Sequence, residues 1–179
     1  VKAEDVRRGT IRLNRTWADG DKMVITFNAK VAITRWYDYS AVVERGPLVY
    51  ALRMEEKWKR HECVGDDIRA LGSYYYEVTS TTPWNVALRG NDVKWENWEK
   101  SFTVEKGECS NTPWTLEGAP IKIKAKARML PNWGMHRNSA GQINYLTQIE
   151  PRGEVGEEVD ITLIPYGCTT LRLTEFPVR

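Results

Sequence analysis

Apolar and polar residues alternate strictly between residues 121 and 129. The odd positions hold Ile, Ile, Ala, Ala and Met, and the even positions hold Lys, Lys, Lys and Arg. Successive side chains of a strand point to opposite faces, so this pattern predicts a strand with one buried face. The other face carries four cations, which are Lys122, Lys124, Lys126 and Arg128.

This row of cations has two interpretations. It can be the water-facing side of an edge strand, where lysine also discourages pairing with other chains. It can instead contact an acidic glycan, or a nucleic acid through its backbone alone. We favour the first interpretation, because such rows are more often plain solvated faces.

Shorter alternating runs occur at five other places, which are residues 11–14, 23–27, 143–149, 159–163 and 171–174. Turn residues separate the runs. Asp19-Gly20-Asp21 predicts a hairpin, and the segments 153–156 and 166–167 predict further turns. We find no helical stripe with caps. The sequence therefore predicts an all-β, mostly antiparallel β-sandwich of jelly-roll type, either as one unit or as two small lobes.

A boundary between two lobes is predicted near residues 53–72. The apolar run Leu48–Leu52 precedes this segment, and a charged stretch from Glu55 to Arg60 follows. We assign residues 1–52 to a first, incomplete sandwich and residues 73–179 to a second one. The segment between them is predicted to be a connecting loop, with room for a helical turn.

Composition and charge narrow the range of partners. The net charge of +2 and the pI near 8.4 are milder than expected for a nucleic-acid-binding domain. No apolar run approaches the ~20 residues of a membrane-spanning helix. Cys63, Cys109 and Cys168 show neither metal-ligand spacing nor a disulfide framework. We expect no nucleic acid partner and no membrane partner. We expect the three cysteines to be free thiols, with one disulfide bridge as the alternative if the chain is exported.

Eight tryptophans are the unusual feature of the composition. Tryptophan fills cores, but an exposed indole ring can also stack on a sugar ring. The loop 131–139 combines one indole with polar side chains suited to hydroxyl groups. The candidate sugar-binding residues in it are Trp133, His136, Arg137 and Asn138, and Trp95 and Trp98 form a weaker second site. We favour contact with a neighbouring domain over sugar contact for both sites, because interfaces are rich in Trp and Arg.

Candidates for catalysis are weak. The paired carboxylates, Glu55-Glu56, Asp66-Asp67 and Glu157-Glu158, are adjacent in sequence, so their side chains point apart and cannot flank a glycosidic bond. His61-Glu62-Cys63 are consecutive, which suits a tetrahedral metal site poorly. No Gly-x-Ser-x-Gly motif is present. The sequence predicts no catalytic residue, no metal site and no cofactor in this chain.

Three segments together carry a family resemblance. They are Trp17-Ala18-Asp19-Gly20-Asp21, the run from Glu44 to Leu52 that contains Arg45-Gly46-Pro47-Leu48-Val49-Tyr50, and the run from Leu163 to Pro177 that contains Pro165-Tyr166-Gly167-Cys168-Thr169. In order and spacing they resemble the C-terminal region of the β-L-arabinofuranosidase family, glycoside hydrolase family 127 and its relatives. The resemblance spans nearly the whole chain. In these runs Gly46-Pro47 suits a bulge or kink, and Gly167 a residue with positive φ.

The resemblance implies a place for this chain within a larger enzyme. In that family an (α/α) barrel precedes β-sandwich domains and carries a zinc-bound cysteine nucleophile with further Cys and Glu ligands. No residue of that set maps onto this chain. We therefore expect a non-catalytic sandwich that packs on and supports a catalytic barrel. The alternatives are a carbohydrate-binding module for plant-type glycans and, third, a free-standing glycosidase. An extracytoplasmic location and a role in bacterial-type polysaccharide degradation fit this expectation.

Overall fold

The computed structural model describes residues 5–7, 10–27, 29–37, 40–90, 92–94, 96–143 and 155–179. Within these residues the chain is almost entirely strands joined by turns. The strands are β1 (Asp5–Arg7), β2 (Thr10–Arg12), β3 (Val31–Arg35), β4 (Ala41–Arg45), β5 (Leu48–Leu52), β6 (Glu56–Glu62), β7 (Tyr74–Ser80), β8 (Val86–Leu88), β9 (Thr103–Lys106), β10 (Ile121–Met129), β11 (Met135–His136), β12 (Ser139–Ala140), β13 (Glu158–Pro165) and β14 (Glu175–Phe176). The helices are α1 (Asp67–Leu71) and α2 (Trp98–Ser101), and neither is long enough to cross a membrane.

One antiparallel sheet of eight strands forms the body of the molecule. Its strand order is β14-β4-β5-β13-β10-β8, with β3 also paired to β4 and β9 also paired to β10. Val178, just beyond β14, forms a bridge with Leu88 of β8, which joins the two ends of this order. The sheet thus curls around its own apolar face. The prediction of an all-β, mostly antiparallel, sandwich-like fold is confirmed.

Strand β10 is formed over the whole predicted range of residues 121–129. Ile123, Ala125 and Ala127 are buried, as the alternation requires. However, β10 pairs with β13 on one side and with β8 and β9 on the other, so it is an interior strand and not the predicted edge strand. Its cations consequently meet partners on neighbouring strands.

Cross-strand partners occupy much of the cationic face of β10. The Lys126 Nζ lies 2.7 Å from a carboxylate oxygen of Asp160, and this hydrogen bond is the main reason that the pKa of Lys126 is raised. The Lys124 Nζ donates to the Thr162 hydroxyl at 2.9 Å. Charge pairing across the sheet supports the interpretation of this row as a solvated face.

The main apolar core crosses the predicted domain boundary. Strand β5 pairs with β13, and buried residues from both sides of residues 53–72 pack in one cluster. The largest fully buried side chains of the cluster are Tyr50, Leu88, Ile123, Leu163 and Phe176. The segment 53–72 itself contains β6 and α1, so it is more than the predicted connecting loop, and α1 is the helical turn expected there. Described residues on both sides of the predicted boundary thus contribute to the same main core.

Two predicted strands are absent from the described residues. The turn at Asp19-Gly20 forms, with Gly20 at φ +81°, but the flanking residues 13–18 and 21–27 are not in strands. Phe27 is 85% exposed, because no neighbouring strand in the described part of the chain pairs with this segment. Residues 171–174 also lie outside strands, although the Leu173 carbonyl accepts a hydrogen bond from the Leu52 N–H.

Of two other sequence predictions, one falls mostly outside the described residues and the other differs from the structure. Most of the alternating run 143–149, and the start of the turn 153–156, lie outside the described residues. Gly46 and Pro47 form the two-residue turn between β4 and β5, so they reverse the chain instead of bending one strand. Gly46 has φ +60°, a conformation that glycine adopts without steric cost.

Strands β6 and β7 form a separate two-stranded ribbon, which we call the aromatic arm (residues 56–80). Seven residue pairs join its strands, from Glu56 opposite Ser80 to Glu62 opposite Tyr74. Helix α1 lies in the connection between the strands, so it forms the tip of the arm. Most side chains of the arm are exposed on both faces.

Candidate functional site

Trp133, the central residue of the sequence-predicted sugar site, is a core residue. Its side chain is 3% exposed and packs edge-on against Trp84, with the ring centroids 5.1 Å apart. The indole N–H donates to the Gly141 carbonyl at 2.8 Å. Stacking on a sugar needs an exposed ring face, which Trp133 does not present.

Only one indole of the second predicted site, that of Trp98, lies in the described part of the chain. Trp98 begins α2 and is buried in the main core beside Phe102 and Val93. Trp95 lies outside the described residues.

The polar residues of the predicted loop occupy a tight hairpin. Arg137 and Asn138 connect β11 to β12 with φ values of +50° and +62°, the geometry of a turn that matches strand twist. His136, Arg137 and Asn138 are exposed. Their role in binding stays a prediction, but the structure does not join them to an exposed aromatic ring of their own loop.

A different site is formed where three chain segments meet at the base of the aromatic arm. We call it the Trp58–Trp114 cleft; its volume is about 440 Å³, within the range of ~300–1,000 Å³ that is typical of small-ligand sites. The segments are the start of β6, the loop 114–117 and the residues 167–172 after β13. The lining residues are Glu55, Glu56, Trp58, Trp114, Thr115, Leu116, Glu117, Gly167, Cys168, Thr169, Thr170 and Arg172.

Glu56 holds the cleft together. One carboxylate oxygen accepts hydrogen bonds from the Thr169 hydroxyl at 2.9 Å, the Thr170 N–H at 2.6 Å and the Leu171 N–H at 3.4 Å. The other oxygen accepts from the Trp58 indole N–H at 3.2 Å. A single carboxylate thereby ties the arm to the segment after β13 and fixes one of the two indoles.

Trp114 covers the opposite side of the cleft and is 63% exposed. Gly167 does not have the predicted positive φ, and a Cβ added to it would lie 3.2 Å from the Trp114 ring, so a larger residue there would displace this ring slightly. The ring lies close to Gly167 and is largely open to solvent. Such a supported indole is a flat, preorganised surface.

Arg172 supplies the positive charge of the cleft. Its Nε donates to the Thr169 carbonyl at 3.2 Å, and its guanidinium lies 4.8 Å from the centre of the Tyr166 ring. The backbone of Arg172 has φ +52°, a left-handed conformation that costs energy for a residue other than glycine. Non-glycine residues held in this way often belong to ligand sites.

The aromatic arm adds a second aromatic surface. On one face, Trp58 and Tyr76 pack edge-on at 5.6 Å, and the Arg60 guanidinium lies 4.1 Å above the Tyr74 ring. On the other face His61 stacks on Tyr75 at 5.0 Å. The apolar residues near the tip, Val64, Ile68 and Leu71, are all exposed.

The three cysteines and the segment His61-Glu62-Cys63 were considered as metal ligands from the sequence. Cys63 and Cys168 are buried, Cys109 is exposed, and all three are free. The Cys168 thiol donates to the Pro113 carbonyl at 3.2 Å, and burial raises its pKa. Among the described residues, no three His, Cys, Asp or Glu side chains are grouped as metal ligands. His61 and Glu62 lie on opposite faces of β6 because a strand alternates its side chains.

Comparison with protein-family models, with curated proteins and with solved structures finds no match for this chain. The resemblance to the β-L-arabinofuranosidase family therefore depends on the three sequence segments alone. Two of them adjoin in the fold, since Tyr50 of β5 pairs with Pro165 of β13.

Proposed function

We propose that this chain is a non-catalytic β-sandwich module of a glycoside hydrolase related to the β-L-arabinofuranosidases, and that it packs on and supports a catalytic barrel carried elsewhere in the parent protein. The observation that carries the proposal is the aromatic arm. Beyond Trp58, it exposes Tyr74 and Tyr76 on one face and Tyr75 on the other.

A two-stranded ribbon in water is marginally stable on its own. The arm is joined to the body near its base, by the Glu56 bonds and by the Arg53 N–H to Thr162 carbonyl bond of 2.8 Å. Aromatic side chains on both faces and an apolar tip are the composition of protein interfaces. A partner that covers the part of the arm beyond Trp58 would bury the three tyrosine rings, and the barrel implied by the sequence resemblance is that partner.

The first test uses the coding sequence and activity of the parent protein. We expect the sequence upstream of Val1 to encode a helical barrel with a Glu-x-Cys unit and an adjacent Cys pair. We expect that barrel to hydrolyse an aryl β-L-arabinofuranoside only when produced together with this chain. A barrel equally active alone would contradict the supporting role, and turnover by the purified 179-residue chain would contradict the non-catalytic one.

Variants of the tip test the docking surface. The double change Ile68→Ser and Leu71→Ser removes two exposed apolar side chains, so the chain itself should fold unchanged. We expect it to lose co-purification with the barrel. Val155→Ser changes an exposed valine outside the arm and is the matched control. Equal capture of the tip variant and the control would contradict docking through the arm.

A further inference from the structure

We infer that the Trp58–Trp114 cleft is a binding site for a neutral oligosaccharide, a second property of this chain that does not depend on docking to a barrel. The cleft places two exposed indoles, 52% and 63% accessible, on one concavity of about 440 Å³. Two indoles on one concavity offer two stacking surfaces, which is the arrangement that consecutive sugar rings can use.

Both rings contact other parts of the chain before a ligand arrives. The Trp58 N–H is already bonded to Glu56, and Trp114 rests against Gly167. A ring whose polar atom is satisfied within the protein presents its apolar face to a ligand at little entropic cost. The C–H faces of sugar rings are the apolar surface that matches such an indole.

Polar groups between the rings suit hydroxyl groups. Thr170 and Glu117 line the cleft and offer a hydroxyl and a carboxylate to a ligand. The other polar lining groups, Glu55, Glu56 and Thr115, already have hydrogen-bond partners within the chain. Carboxylates accept hydrogen bonds from hydroxyls, and threonine hydroxyls both donate and accept. The lining is therefore complementary to a polyol and not to an apolar ligand.

The charge of the residues that line the cleft favours neutral sugars over acidic ones. Two carboxylates, Glu56 and Glu117, line the cleft against one cation, Arg172, since the third carboxylate, Glu55, is paired with Arg53. This excess of negative charge disfavours a ligand that carries carboxylates of its own. The geometry thus points to neutral pentose or hexose chains, and away from uronic acid polymers.

The test measures tryptophan fluorescence of the full chain during titration with neutral xylo-, arabino- and cello-oligosaccharides and with oligogalacturonate. We expect saturable quenching by at least one neutral series, with a dissociation constant of the order of ~mM or below. Oligogalacturonate should not quench in this way. Absence of saturable binding by every neutral series, or preferential binding of oligogalacturonate, would overturn the inference.

Variants locate the binding. Trp114→Ala and Trp58→Ala should each weaken affinity about tenfold or more, because each removes one stacking surface. Trp58→Phe keeps a ring, so it should weaken affinity less and serves if the alanine variant does not fold. Trp17→Ala, which removes an indole of similar exposure outside the cleft, should bind as the unmodified chain does. Binding that survives both cleft variants in folded protein would refute the site, whether or not the barrel docks.

Discussion

The carboxylate of Glu56 accepts hydrogen bonds from four donors, which belong to Thr169, Thr170, Leu171 and Trp58. Its sequence neighbour Glu55 instead pairs with Arg53 in a more exposed position. The two acids point to different partners, as expected for neighbouring residues at the start of a strand. The sequence indicated that the pair diverges, but nothing in it showed that one member organises a cleft.

Glu56→Gln should reduce the free energy of unfolding by about 1–3 kcal/mol, because an amide nitrogen cannot accept the hydrogen bonds that a carboxylate oxygen accepts. Glu55→Gln is the matched control and should cost about 0–1 kcal/mol, as expected for an exposed ion pair. Urea unfolding of both variants measures the difference. Equal midpoints would show that the four bonds do not stabilise the fold.

The three thiols should react at different rates. Cys109 is exposed, whereas Cys63 and Cys168 are buried, and burial raises the pKa of Cys168 so that less of it is the reactive thiolate. Titration with an aromatic disulfide reagent at pH 8 should label one thiol quickly and two slowly. Cys109→Ser should remove the fast phase. A fast phase that remains in this variant would contradict the burial of the other two.

At the scale of elements, strand β10 shows what alternation alone can predict. Its buried face follows from the period of two, and its range was predicted to the residue. Its interior position did not follow, because the neighbours β8, β9 and β13 are distant in sequence. Local pattern determines which face is buried, while tertiary pairing determines whether a strand lies at an edge.

The aromatic arm was missed for a related physical reason. Strand β6 carries charged residues on both faces, and β7 carries aromatic residues on both. A ribbon exposed on both faces has no buried side and therefore no apolar–polar alternation. The Trp58–Trp114 cleft was missed because it joins residues as far apart as 58, 114 and 172, and a single sequence does not reveal such contacts.

Ile123→Ala tests the buried face of β10. Ile123 is fully buried in the main core, so removal of its side chain should cost about 2–5 kcal/mol of unfolding free energy. Lys124→Ala, the next residue on the exposed face, should change stability by about 0.5 kcal/mol or less. Thermal and urea unfolding compare the two. If the Lys124 variant lost as much stability as the Ile123 variant, the assignment of Ile123 to the buried face would be wrong.

At the scale of the whole molecule, one curled sheet supports an arm that lies largely outside its core. Stability is uneven in such an arrangement, because a ribbon with few buried contacts opens more easily than the strands around a core. Under the proposed function, the body is a rigid base, and the arm and the cleft at its base are the recognition surfaces.

Hydrogen exchange tests the central claim, that the aromatic arm docks on a catalytic barrel, most directly. In the isolated chain, amides of residues 56–80 should exchange faster than those of β10 and β13, since the arm has only two strands. In the complete parent protein the same amides should become strongly protected, while β10 changes little. If the amides of residues 56–80 exchanged equally fast in the isolated chain and in the parent protein, the docking proposal would be wrong.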